Sequence, residues 1–198
     1  MRLFGKDFDF REEGGYAMNR LAAWALCGLA LVGTSSFAAN LPPEVAEQVA
    51  KFKDPNPKVR QQALTALGKM GEKAKPAIPE IVEMASDKQT WVMTRALMVL
   101  PDIGPDETVI KPMVPFLGRD KDIKDMAVLV FAKIGDKAVP ALVDALKDEK
   151  LTEGACNALG AIGPPAKSAV SAISAAGQKA KNKNVKDAAT DALRAINK

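Results

Sequence analysis

Few side chains in this chain could do chemistry, and the first constraint is an absence. The 198 residues include no histidine. That removes histidine metal sites, Ser-His-Asp and Cys-His nucleophiles, and imidazole acid–base work near neutral pH. Cys27 and Cys156 form no CxxC pair, and no glycine-rich phosphate loop or acidic calcium loop occurs. Carboxylates recur at helical spacing, as in Glu80/Glu83 and Asp144/Asp148. Acid–base catalysis would need two of them turned onto one substrate. On amphipathic helices such spacing belongs to the solvated face, so no catalytic residue, metal or cofactor is expected.

Two groupings remain. Trp91, Met93, Arg95, Met98, Met126 and Leu129 combine aromatic, thioether and guanidinium groups, the composition of a protein-binding hot spot. The bland alternative is that these side chains only thicken packing between helices or cover a gap beside Pro101. The second grouping is Lys179, Lys181, Lys183 and Lys186, in a segment from Pro164 to Lys198 with seven basic and two acidic residues. It would suit a polyanion or a membrane surface. Its alternative is the soluble outer face of a terminal unit. No aromatic is interleaved with the lysines, which disfavours nucleic acid.

The elements that must position these residues come from a repeated pattern, apolar-x3-Ala-x3-Leu/Phe-x2-Ile/Met-Gly. Its copies are Val59/Ala63/Leu67/Met70/Gly71, Val92/Ala96/Leu100/Ile103/Gly104, Ile123/Ala127/Phe131/Ile134/Gly135 and Leu151/Ala155/Leu159/Ile162/Gly163. The fifth is Val185/Ala189/Leu193/Ile196, with Asn197 in the glycine place. Successive endings lie 33, 31, 28 and 34 residues apart, the period of a stacked helical solenoid. Spacings of four, four and three put the apolar residues on one helical stripe, and the recurrent Ala allows close helix approach. The terminal Gly suits a left-handed cap. These second helices are expected near 57–69, 90–103, 122–134, 151–162 and 185–196. First helices are expected near 43–53, 76–86, 109–118, 138–147 and 167–178. Pro79, Pro115 and Pro140 fall in their opening turns, where the missing amide costs nothing. Pro55 and Pro57 set the turn into the second helix of repeat 1.

Residues 18–38 read as a cleavable export signal. Asn19-Arg20 gives a positive start, Leu21 to Val32 is apolar, and Ser36 and Ala38 are small residues at the −3 and −1 places. The apolar run is shorter than the roughly 20 residues a bilayer span requires. A retained anchor is the alternative; Cys27, after Trp24-Ala25-Leu26, lacks a lipoprotein context. Residues 1–17 fit no such signal and are expected to be an upstream extension, with translation starting at Met18. Residues 39–198 then form one repeat domain, divided near 41–71, 72–104, 105–135, 136–163 and 164–198. Hydrophobic residues make up 47% of the sequence, enough to bury a core. Cys156 takes the place of Leu64, Leu97 and Val128 and is expected to be a small buried hydrophobe rather than a nucleophile.

The segment Asp54 to Gly71, Asp-Pro-Asn-Pro-Lys-Val-Arg-Gln-Gln-Ala-Leu-Thr-Ala-Leu-Gly-Lys-Met-Gly, resembles a HEAT repeat, in particular the short bacterial type of the phycobilin lyases. The resemblance extends over 41–198. It implies an all-α, right-handed α-solenoid of about five helix pairs, armadillo-like, with the second helices lining the concave face. It also implies that an Asp in the turn and an Arg early in the second helix pair along the stack. Asp54 and Arg60 match those places, but the Arg place then holds Met93, Lys124, Thr152 and Lys186, so the ladder is incomplete.

The expected function is an exported, periplasmic or secreted bacterial scaffold. It would bind another protein and catalyse nothing. The alternatives are a lyase-like HEAT enzyme and a polyanion or membrane-surface binder acting through the fifth repeat.

Overall fold

The computed structural model describes residues 41–198, so the expected upstream extension (1–17) and export signal (18–38) lie outside the described residues. From residue 41 onward the chain is a stack of five helix pairs. The second helices are α2 (Pro57–Met70), α4 (Thr90–Ile103), α6 (Lys121–Ile134), α8 (Thr152–Ile162) and α10 (Lys183–Ile196). They run within two residues of the ranges expected from the pattern. Each packs on the next, and together they form one layer of the solenoid.

Most pattern positions are buried, while Val59, Met70, Ile134, Leu151 and Leu193 are half-buried. Ala96, Ala127 and Ala155 are fully buried, as are Leu67, Leu100, Phe131 and Leu159. Burial of each Leu or Phe side chain contributes about 1.5–3 kcal/mol. Close approach is enforced by glycine at two successive-helix contacts. A Cβ on Gly68 would come within 2.9 Å of Val99, and one on Gly160 within 2.9 Å of the Ala192 Cα. The place after the Leu or Phe anchor holds Gly68, Pro101, Ala132 and Gly160 in successive repeats. Pro101 is the largest of these residues, and α4 packs less closely on α6 than the other neighbouring second helices do on each other.

The first layer comprises α1 (Pro43–Ala50), α3 (Ile78–Met84), α5 (Ile110–Met113), α7 (Val139–Ala145) and α9 (Val170–Lys179). These helices are shorter than expected because each is entered through, or continued by, a 3₁₀ stretch. The third repeat departs most. Instead of one helix over 109–118, it has 3₁₀ turns at Glu107–Val109 and Val114–Gly118 around the four-residue α5. Pro112 and Pro115 both lack an amide, so an α-helical ladder cannot run through them.

The closing glycines all adopt positive φ, from 56° to 84°. Only Gly104, at ψ 76°, is a left-handed cap; Gly71, Gly135 and Gly163 have ψ between −132° and −141°. That second region is still more restricted to glycine. It turns the chain directly into the next 3₁₀ stretch. Asn197 needs no such turn, and its φ is −94°.

Polar side chains hold the turns between the layers. Asp54, Asp87, Asp148 and Asn182 each accept a hydrogen bond from the backbone amide two residues on, at 2.7–2.9 Å. Asn56 does the same for Lys58 as the N-cap of α2, with Pro57 in its first turn. Among the described residues no helix is long and apolar enough to cross a membrane.

Candidate functional site

Among the described residues, three large hydrophobic side chains are exposed: Trp91 (38%), Met98 (43%) and Leu129 (53%). All three lie on second helices. Met98 and Leu129 share one register place, two residues before Leu100 and Phe131 on the adjacent helices α4 and α6. Trp91, Arg95 and Met98 follow at spacings of four and three, so they form one stripe on α4. With Gln61 of α2 and with Thr90 and Thr94 they line an open groove of about 400 Å³. Met126 and Leu129 do not line it; they stand on α6, the next helix of the layer.

Arg95 is the charged group of this groove. Its Nε is buried and has no hydrogen-bond partner among the described residues. Thr94 has turned its hydroxyl inward, donating to the Thr90 carbonyl at 2.8 Å. The groove wall is therefore an indole, a thioether and a guanidinium, with the Gln61 amide at one edge.

Two members of the sequence grouping sit deeper than expected. Met93 is a core residue, 9% exposed, and offers a partner no open surface. It occupies the place that Arg60 holds in repeat 1, and an unbranched apolar side chain there fills the junction instead of crossing it. Met126 is half-buried and packs against the core. Gln61 and Thr94 were not singled out by the sequence. Both stand six residues before their Leu anchors, so register could have paired them, but polar residues facing a neighbouring helix carry no distinctive signal.

One ion pair between repeats is the pairing along the stack that the resemblance implies, with Asp87 in the turn place of repeat 2 that Asp54 holds in repeat 1. Arg60 does not bind the Asp54 carboxylate. Its Nη1 donates to the Asp54 backbone carbonyl at 2.8 Å, while Nε and Nη2 donate to both carboxylate oxygens of Asp87 in repeat 2. Lys124 pairs with Glu153 across the boundary between repeats 3 and 4. Thr152 bonds within its own turn, to the Asp148 carbonyl at 2.8 Å.

The basic segment is divided. Lys179 and Lys181 line a cleft of about 330 Å³ between repeats 4 and 5, together with Lys147, Glu149 and Asn182. Lys183 is compensated by Asp187 at 2.7 Å, and Lys186 is exposed on α10. Cys156 is fully buried on α8, and desolvation pushes its thiol up to about 11. Thiolate chemistry at neutral pH is closed to it. Among the described residues no three Cys, Asp or Glu side chains gather as a metal-binding cluster.

A profile described as HEAT repeats matches residues 44–123 and again 110–194. No curated protein has a matching sequence. Among solved structures, a designed armadillo repeat protein is similar with a TM-score of 0.51 and 18% identity, covering 77% of this chain and 82% of that one. An engineered protein gives 0.51 and 22%, covering 77% and 79%. The CpcE–CpcF complex of phycocyanin lyase from Nostoc sp. PCC7120 gives 0.50 and 16%, covering 75% of this chain and 96% of that chain. At these identities the likeness concerns the fold. The repeated match, with the helix pairs and their glycine caps, shows that the chain belongs to the HEAT-repeat family.

Proposed function

We propose that this protein is an exported, non-enzymatic scaffold that docks a segment of another protein on the second-helix face of repeats 2 and 3. One observation carries the reading: the exposed large hydrophobics Trp91, Met98 and Leu129 all fall on α4 and α6. Such side chains scattered singly would need no account, but three on adjacent helices of one layer form a patch. Arg95 gives it a polar anchor, and Met126 supplies a half-buried floor. Burial of Cys156 supports the absence of thiol chemistry. Export rests on the signal features of residues 18–38, and a periplasmic or secreted location follows from them.

Affinity capture from the source organism after crosslinking tests this. Wild type is expected to retain a partner that Trp91→Ala and Leu129→Gln each lose, with thermal unfolding unchanged. Retention of the partner by both variants, or its loss only together with unfolding, would assign these side chains to packing instead.

A further inference from the structure

Arg95 sets a guanidinium beside Trp91 and Met98, and among the described residues it makes no ion pair. Its Nε is shut off from solvent and has no partner among the described residues. A buried donor left unpaired costs about 1–3 kcal/mol, but a docked partner cannot reach this Nε; the terminal nitrogens of the guanidinium are the donors open to the groove. The acids nearest in register on α6 do not serve it. Asp125 is engaged by Lys121 at 2.6 Å, Lys124 is turned to Glu153, and Asp122 is exposed without pairing to Arg95. The groove that Arg95 lines carries its positive charge and no negative one.

We infer that the occupant is a linear peptide segment carrying a carboxylate between apolar side chains. This rests on the docking reading above and specifies its chemistry. The two terminal nitrogens of the guanidinium form a planar fork that matches a carboxylate with two parallel hydrogen bonds. Trp91 and Met98, one turn to either side of Arg95 on α4, flank that carboxylate with surface for apolar residues before and after it. Leu129 extends the apolar surface onto α6. Gln61 lines the groove from α2 and can offer its amide to the peptide backbone. A basic segment is disfavoured, because it would leave both Arg95 and its own charge uncompensated in a partly desolvated site.

The test is selection of peptides from a random linear phage library on the full chain, followed by anisotropy titration of the enriched peptides. Enriched peptides are expected to carry Asp or Glu next to Leu, Phe or Met. Arg95→Gln, and replacement of the peptide's acid by its amide, should each weaken binding by about tenfold or more, and the two losses should not add. Arg95→Lys, which keeps the charge but not the fork, should recover only part of the affinity. Thermal unfolding of each variant separates binding loss from misfolding. Peptides that need Trp91 and Leu129 but carry no acid and ignore Arg95→Gln would overturn this inference and leave the docking reading standing. Enriched peptides that ignore Trp91→Ala and Leu129→Gln would overturn both.

Discussion

Arg60 on α2 grips Asp87 in the turn before α4, with Nε 2.7 Å from one carboxylate oxygen and Nη2 2.9 Å from the other. The side chains are 14% and 7% exposed, so the pair is largely shielded from solvent. It locks repeat 1 onto repeat 2. Because Asp87 also holds the amide of Gln89, the α2 contact and the entry into α4 are set by one carboxylate.

Loss of either partner should therefore loosen the start of α4. Arg60→Ala or Asp87→Ala is expected to cost about 1–3 kcal/mol, and a double-mutant cycle should recover a coupling of about 1 kcal/mol or more. Urea unfolding of the four proteins checks both numbers.

The same pair sets an acid limb. The hydrogen bond from Arg60 holds the Asp87 carboxyl below the usual carboxylate range, and the Gln89 amide adds to this against desolvation. A depressed folded value means the stabilisation is fully present above the unfolded carboxylate value of about 4. It disappears as pH falls through the lower folded value. Asp106, lowered by the Thr108 hydroxyl and then by its amide, acts in the same direction. Stability followed below pH 4 should fall less steeply in Arg60→Gln than in wild type.

Gly135 separates backbone strain from crowding. Its φ is +77°, and nothing would lie within 4 Å of an added Cβ. Gly135→Ala should cost about 1–3 kcal/mol through conformation alone. Gly160→Val should instead be destabilising through the 2.9 Å approach to Ala192, by about 1–3 kcal/mol, with a shift of α10 visible in backbone amide spectra. Gly160→Val without loss of stability would contradict the close-packed stack.

Cys156 should be inert in the folded protein. A thiol pushed up to about 11 and fully buried reacts with a disulfide reagent only through opening of α8. Labelling is expected to be slow in buffer and fast in denaturant; fast labelling of the folded chain would restore a chemical role.

The repeat was legible in the sequence because it is written in residues that the stack itself requires: a buried Ala, a buried Leu or Phe, and a Gly at positive φ. The first helices were less legible. Short apolar runs broken by proline, as in Val109–Gly118, do not distinguish an α-helix from linked 3₁₀ turns. The exposed stripe was recoverable from register, since Trp91, Met98 and Leu129 stand where repeats 1, 4 and 5 carry polar or small residues. Register alone did not reveal that Met93 lies in the core, because its place in repeat 1 holds an arginine. That arginine crosses to Asp87, whereas the methionine folds into the core. Arg95's missing partner could not be read from any sequence pattern, since it depends on which carboxylates the stack leaves within reach.

The most direct measurement is site-specific photocrosslinking in intact cells, with a photoreactive residue at Met98, at Leu129 or, as control, at the exposed Lys111 of α5. Docking on the second-helix face predicts the same discrete adduct from Met98 and Leu129 and none from Lys111, lost when Trp91 is changed to Ala. No adduct from the first two sites, or an equal one from Lys111, would contradict the account.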